Sequence, residues 1–260
     1  ESLNNNTGTI ALLSSGGING GSGTVLMRAA NYAFGGADRT ITTTGVLTIE
    51  PDADENSFAS SFDNQYLNPV SVTGLTLGKS SNASAITLSR AISLSGPVSI
   101  YGGSIDVNAN ITANSGNILL DADTGSTLNQ SSTGILLDDV ITIETVTSGN
   151  LTLIGRSGDT GSGFDGIDAS SANTTTLRSA GNLTLQGYSY AASGSGRGVD
   201  LNNDVIAASG TVSMSGQHNT GATYAISLSG STSITAGTGV TLESLNNNTG
   251  TIALLSSGGI

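Results

Sequence analysis

A short pattern recurs along this chain: a glycine, a small or amide residue, then apolar residues alternating with polar or small ones. It reads GNILL at Gly116–Leu120, GNLTL at Gly149–Leu153 and again at Gly181–Leu185, and GTVSM at Gly210–Met214. The opening glycines of these copies are nearly evenly spaced. GTIAL, at Gly8–Leu12 and Gly250–Leu254, has the same texture. Two more apolar segments accompany each copy. One is a triplet: Ile105–Val107, Ile135–Leu137, Ile167–Ala169, Val199–Leu201 and Ile226–Leu228. The other is a lone point or pair: Ile111, Ile141, Leu177, Val205–Ile206 and Ile234. Turn formers such as Asn202–Asn203 and the Ser-Gly pairs at 148–149 and 209–210 separate them.

Alternation with period two is the mark of a strand with one buried face. Leu183 and Leu185 then point inward and Thr184 outward; in the next unit Val212 and Met214 point inward and Ser213 outward. Gly, Ser, Thr and Asn are weak helix formers, so helix is a poor fit. Three short strands in a unit of about 30 residues describe one coil of an all-β fold, the three-sided parallel β-helix or β-solenoid. Each strand pairs with its equivalent one coil away, at about 4.8 Å. Roughly eight coils, on the order of 40 Å, are expected. The coils between Ile86 and Ile105 read shorter, which would raise the count. Length variation falls in corners such as Gly155–Gly166 and Tyr188–Gly198. A β-sandwich or propeller would instead show antiparallel hairpins of longer strands. Composition agrees with an elongated fold. Aromatics are 4% with no Trp, a thin supply for a compact core, yet apolar residues are 36% and regularly placed, which argues against disorder.

A longer repeat encloses the shorter one. Residues Glu1–Ile18, ESLNNNTGTIALLSSGGI, recur without change at Glu243–Ile260, an offset of 242. Chance and physical constraint do not preserve every surface Asn and Ser. The expected organisation is therefore one long tandem repeat over 1–242, forming a continuous solenoid, with 243–260 the start of the next identical repeat.

SAGNLTLQG at Ser179–Gly187, SGNLTLIG at Ser148–Gly155 and ITAGTGVTLES at Ile234–Ser244 resemble the haemagglutinin-type repeats of filamentous haemagglutinin-like adhesins, giant exoproteins of two-partner secretion. The resemblance covers most of the chain from about Ile86 onward and is weaker before it. It implies a right-handed parallel β-helix, export to the surface of a Gram-negative bacterium, and a part in adhesion, biofilm structure or cell contact. Nothing here matches that family's N-terminal secretion domain, so the chain reads as shaft.

Chemistry is sparse. The net charge of −12, with few Lys and Arg, disfavours nucleic acid as a partner. No apolar run approaches a bilayer's thickness, so membrane insertion is not expected. There is no Cys to form disulfides or thiolate metal sites. The acidic groups Asp52/Asp54/Glu55, Asp121/Asp123, Asp138/Asp139 and Asp165/Asp168 read as solvated turn residues. None stands at one coil's spacing from a partner with a basic residue in register. The only histidine, His218, reads as an exposed turn residue rather than a base. Gly161–Ile167 matches one G-x-G-x-D-x-U calcium unit, but such sites need consecutive units. Asp121–Gly125 begins like a calcium loop that lacks its closing Glu, since Ser132 stands there. Asn150 and Asn182, although in N-x-T sequons, sit at strand entries where an amide can hold a turn or stack in a ladder. Tyr32, Phe34, Tyr101, Tyr188 and Tyr190 read as cover for the solenoid flank.

No catalytic, cofactor-binding or metal residue is assigned, and no cofactor is expected. The expected function is a structural, non-catalytic shaft of an extracellular or cell-surface adhesin or filament. Its partners are neighbouring repeats of the same chain, lateral copies in fibres, and host-cell or matrix glycans. The alternatives are a glycan- or cell-binding β-helix module and a carbohydrate-active β-helix enzyme. An aromatic groove would favour the first and clustered carboxylates the second.

Overall fold

The computed structural model describes residues 8–13, 17–52, 55–122, 132–137, 139–169, 173–218, 221–245 and 250–255. Among them there are 28 strands and no helix, and every strand pairing is parallel. The chain visits three faces in fixed rotation. The first face carries the pair Thr9–Ala11 and Asn31–Ala33, followed by an eight-stranded sheet from Phe62–Asp63 to Thr251–Leu254. The second carries three strands from Ile18–Asn19 to Leu67–Val70 and six from Ile92–Leu94 to Ser233–Ala236. The third is one sheet of nine strands, from Val25–Arg28 to Gly239–Ser244. The fold is thus the parallel β-solenoid that the short period implies, with nine full rounds and the first strand of a tenth.

The pleat explains the alternation. On the third face Leu47, Leu75, Val98, Ile118, Leu151, Leu183 and Val212 stack in register as one buried column. One residue on, Thr48, Thr76, Ser99, Leu119, Thr152, Thr184, Ser213 and Thr241 form the outward column. Burying aliphatic groups at about 25 cal/mol per Å² favours this register, because a one-residue slip would turn the whole column to water.

The coils around Ile86 to Ile105 are short, as their sequence reads: Ile105 sits on Ile86 and Ile118 on Val98, whereas Leu151 sits on Ile118 across a much longer coil. The short coils raise the count from about eight to nine. Two sequence expectations need correction. The second-face partner of Ile111 is Ile143, not Ile141, which lies just before the strand. The GTIAL segments belong to the first face, since Thr251–Leu254 pairs with Tyr224–Ser229. The third-face strand after GTVSM is Gly239–Ser244, where the register pairs Val240 with Val212.

Amides hold the entries to the third face. The Asn117 Oδ1 accepts the Asn150 N–H at 2.9 Å, Asn150 Oδ1 accepts the Asn182 N–H at 2.9 Å, and Asn182 Oδ1 accepts the Thr211 N–H at 3.0 Å. Each Asn thus satisfies a backbone donor one coil away, in the ladder role expected for Asn150 and Asn182. Asn182→Ala removes the acceptor of both the Thr211 N–H and its hydroxyl. The expected loss is about 1 kcal/mol, because water reaches these exposed donors and replaces part of the bond. A drop of about 3 °C in Tm would register it in thermal unfolding followed by circular dichroism.

Glycines close the corners where loops leave the stack. Gly155, Gly187 and Gly216 are in register at the end of the third face. A Cβ on Gly187 would lie 1.9 Å from the carbonyl oxygen of Gly198, and one on Gly155 would lie 2.0 Å from that of Gly166. Gly155 and Gly166, like Gly187 and Gly198, are the two sides of a loop's neck. With the neck closed at backbone contact, the loop beyond it can vary in length without disturbing the coil.

Candidate functional site

The two pinched loops, 156–165 and 188–197, flank the outer side of the first face. Beside them Asp168 and Asp200 are in register on adjacent coils, and Ser227 follows Asp200 on the next. Asp165 joins them from the end of the first loop, so that carboxylate oxygens of Asp165, Asp168 and Asp200 lie within 4.8 Å of one another. Asp165 and Asp200 are buried, at 8% and 3% exposure. Arg197, from the second loop, binds this group twice: its backbone N–H donates to Asp165 Oδ1 and its guanidinium pairs with Asp200 Oδ2. The guanidinium also lies 5.9 Å from the ring centre of Tyr224.

Burial and like charge set the titration here. Burial pushes the Asp165 carboxyl up to about 7, helped by the charges of Asp168 and Asp200 and opposed by Arg197. Burial also raises Asp200, against the pull of Arg197 and Ser227. Asp204, in the turn toward the second face, is fully buried and pushed up to about 7 by the same cause. Its oxygens accept the Thr175 and Asn202 N–H groups, each at 2.9 Å. One guanidinium faces the three clustered carboxylates, so a retained proton offsets part of the remaining charge.

This arrangement overturns the reading of Asp165/Asp168 as solvated turn residues. An acidic partner, Asp200, does stand one coil away with a basic residue beside it. Asp121 likewise pairs with Arg156 at 2.9 Å. Asp52 is buried, and the Lys79 ammonium donates to the carbonyl oxygens of Asp52 and Glu55. His218, expected in an exposed turn, is buried just past the end of a third-face strand. Asp139 is exposed. Asp54, Asp123, Asp138 and most of the calcium-like loop from Asp121 lie outside the described residues.

The aromatics divide into two groups. Tyr32, Phe34, Phe58 and Phe62 pack together with ring centres 5.6–6.1 Å apart, and Phe34 is a core residue rather than flank cover. Tyr188 and Tyr190 stack on each other at 6.3 Å, and the Arg156 guanidinium lies 5.6 Å from the Tyr188 ring centre. Tyr101 points outward from a third-face strand, half-buried.

The ends of the stack are the other conspicuous feature. Ile10, Leu12 and Ile18 at one end, and Ala236, Val240, Leu242 and Ile252 at the other, pack on the core but stay half-exposed. Leu13 is 70% exposed, and Leu254 and Leu255 are 55% and 62% exposed. These are the places where the aliphatic columns stop. No protein-family model, curated protein or solved structure matches this chain.

Proposed function

We propose that this chain is a rigid shaft segment of a repetitive, extracellular bacterial surface protein, an adhesin or filament, and that it is non-catalytic. The observation that carries this reading is the continuity of the third face, whose inward columns run unbroken from Val25 to Val240 through nine strands. Parallel ladders of this kind resist stretching and bending together, because a load along the axis is divided among three faces. At about 4.8 Å per coil, nine coils make a rod segment of about 43 Å. The Thr- and Ser-rich outer column keeps such a rod soluble while leaving a flat face for lateral contact with other copies. The resemblance to filamentous haemagglutinin-like repeats supports a place on the surface of a Gram-negative bacterium, with other cells or matrix glycans as partners.

Electron microscopy of the native particle tests the proposal. A thin fibre with an axial repeat of about 43 Å is the expected image. Discrete globular particles would sink the shaft reading.

A further inference from the structure

The strand of the duplicated segment that is described in both copies occupies corresponding places at the two ends of the stack. Thr9–Ala11 and Thr251–Leu254 both lie on the first face, nine rounds of the chain apart. Ile10 pairs with Tyr32 on one side, and its identical counterpart Ile252 pairs with Ile226 on the other. Each copy is an edge strand among the described residues, bonded along opposite edges. Superposed, they make one interior strand with Asn31–Ala33 on one side and Tyr224–Ser229 on the other. A repeat of any other phase would have put the two copies on different faces or turned Ile10 and Ile252 to opposite sides of the wall.

We infer that the long repeat is a whole number of coils, nine, and that its last coil is the docking surface for the first coil of a further copy, seated in the ladder's own register. This rests on the shaft reading and specifies how the shaft is built. The register fixes the contacts. Val25 and Val240 belong to one column, as do Met27 and Leu242. Val240 therefore receives the Val25 of the next copy, and Leu242 its Met27. The junction coil, from Val240 to that Val25, is longer than the coil from Val98 to Ile118 and shorter than the coil from Ile118 to Leu151, so its length is one the solenoid already accommodates. On the first face Ile252 receives the next Tyr32, as Ile10 does here. Val240, Leu242 and Ile252, half-exposed in this chain, become interior once Val25, Met27 and Tyr32 of the next copy cover them. No linker separates the repeats, so the junction is as stiff as any other coil.

A protein in which Glu1–Leu242 is followed directly by Glu1–Ile260 tests this. Small-angle scattering should show a straight rod longer than the single chain by nine strand spacings, about 43 Å, and unfolding should be a single transition. Val240→Asp in the first repeat should split that transition in two and bend the rod. The same change in the single chain should shift the midpoint by only about a degree or two, because Val240 is at the open end there. Two jointed rods, or an equal effect of Val240→Asp in both proteins, would overturn the inference. A globular native particle with the lengthened rod intact would instead overturn the shaft reading and leave the nine-coil junction standing.

Discussion

A chain carrying Gly187→Val should lose its cooperative fold, or melt at least about 10 °C below the parent. A Cβ on Gly187 meets the Gly198 carbonyl oxygen at 1.9 Å, the carbonyl carbon at 2.4 Å and the Val199 Cγ2 at 2.9 Å. Two of these are backbone atoms that cannot swing aside. The Gly198 carbonyl accepts the Ile167 N–H at 2.9 Å, so moving it breaks a rung of the first face and displaces Val199, a fully buried residue. The strands above and below offer no slack, because Gly155 and Gly216 are in register with Gly187 at similarly close corners. Overpacking of this kind costs about 3 kcal/mol or more. For a chain of this size that corresponds to about 10 °C in Tm. Gly36→Ala is the control: a Cβ there meets nothing within 4 Å, and the melting point should stay within a degree or so. Thermal unfolding of the two variants side by side decides it. Equal melting points would mean that the neck is not what holds the corner.

The solenoid was readable in the sequence because the pleat prints itself on the residues. Every inward position of Leu151–Arg156 and Leu183–Tyr188 up to the corner glycine is apolar or glycine, and the intervening Thr152 and Thr184 are hydroxyls. The triplets at 105–107 and 167–169 were equally legible, since each is a whole first-face strand. Legibility fell short nearer the start of the stack. Residues 23–27 read GTVLM, the same glycine-led opening, but the outward Leu26 breaks the apolar-polar alternation, and Val46–Glu50 opens on Gly45 with no small or amide residue after it. GTIAL has the signature but not the face, because local texture records a buried side and not which sheet provides it.

The acid cluster was hidden for a different reason. Asp168 and Asp200 are separated by a whole coil of chain, and their adjacency depends on the length of that coil. The length is set by loops whose necks close at Gly155–Gly166 and Gly187–Gly198. Burial of Asp165 comes from the same loops folding against the first face, which no alternation in the sequence records. The matching GSG runs at Gly161–Gly163 and Gly194–Gly196, bridged at Ser162 and Ser193, were the available signal.

Those buried carboxylates should make the protein more stable in mild acid than at neutral pH. Asp165 and Asp204 are both raised from the ordinary carboxylate value near 4 to about 7. Between these values the folded state holds protons that the unfolded chain has released, so unfolding stability falls as pH rises. The contribution is complete below about pH 4 and is lost as pH passes through about 7. The slope is at most about 1.4 kcal/mol per pH unit for each group. The net charge of −12 pushes the same way, because general repulsion grows as carboxyls ionise, so the slope alone does not identify the cluster. Asp165→Asn does. The amide oxygen still accepts the Arg197 N–H, while the charge beside Asp168 and Asp200 is gone. The variant should match the parent near pH 4 and melt about 5 °C higher at pH 8, with a flatter profile between. Melting curves at half-unit steps from pH 4 to 8 measure this directly. A parent that becomes steadily more stable from pH 4 to 8, or a variant whose profile runs parallel to it, would show that the Asp165 carboxyl ionises freely and that the loops leave the cluster open to water.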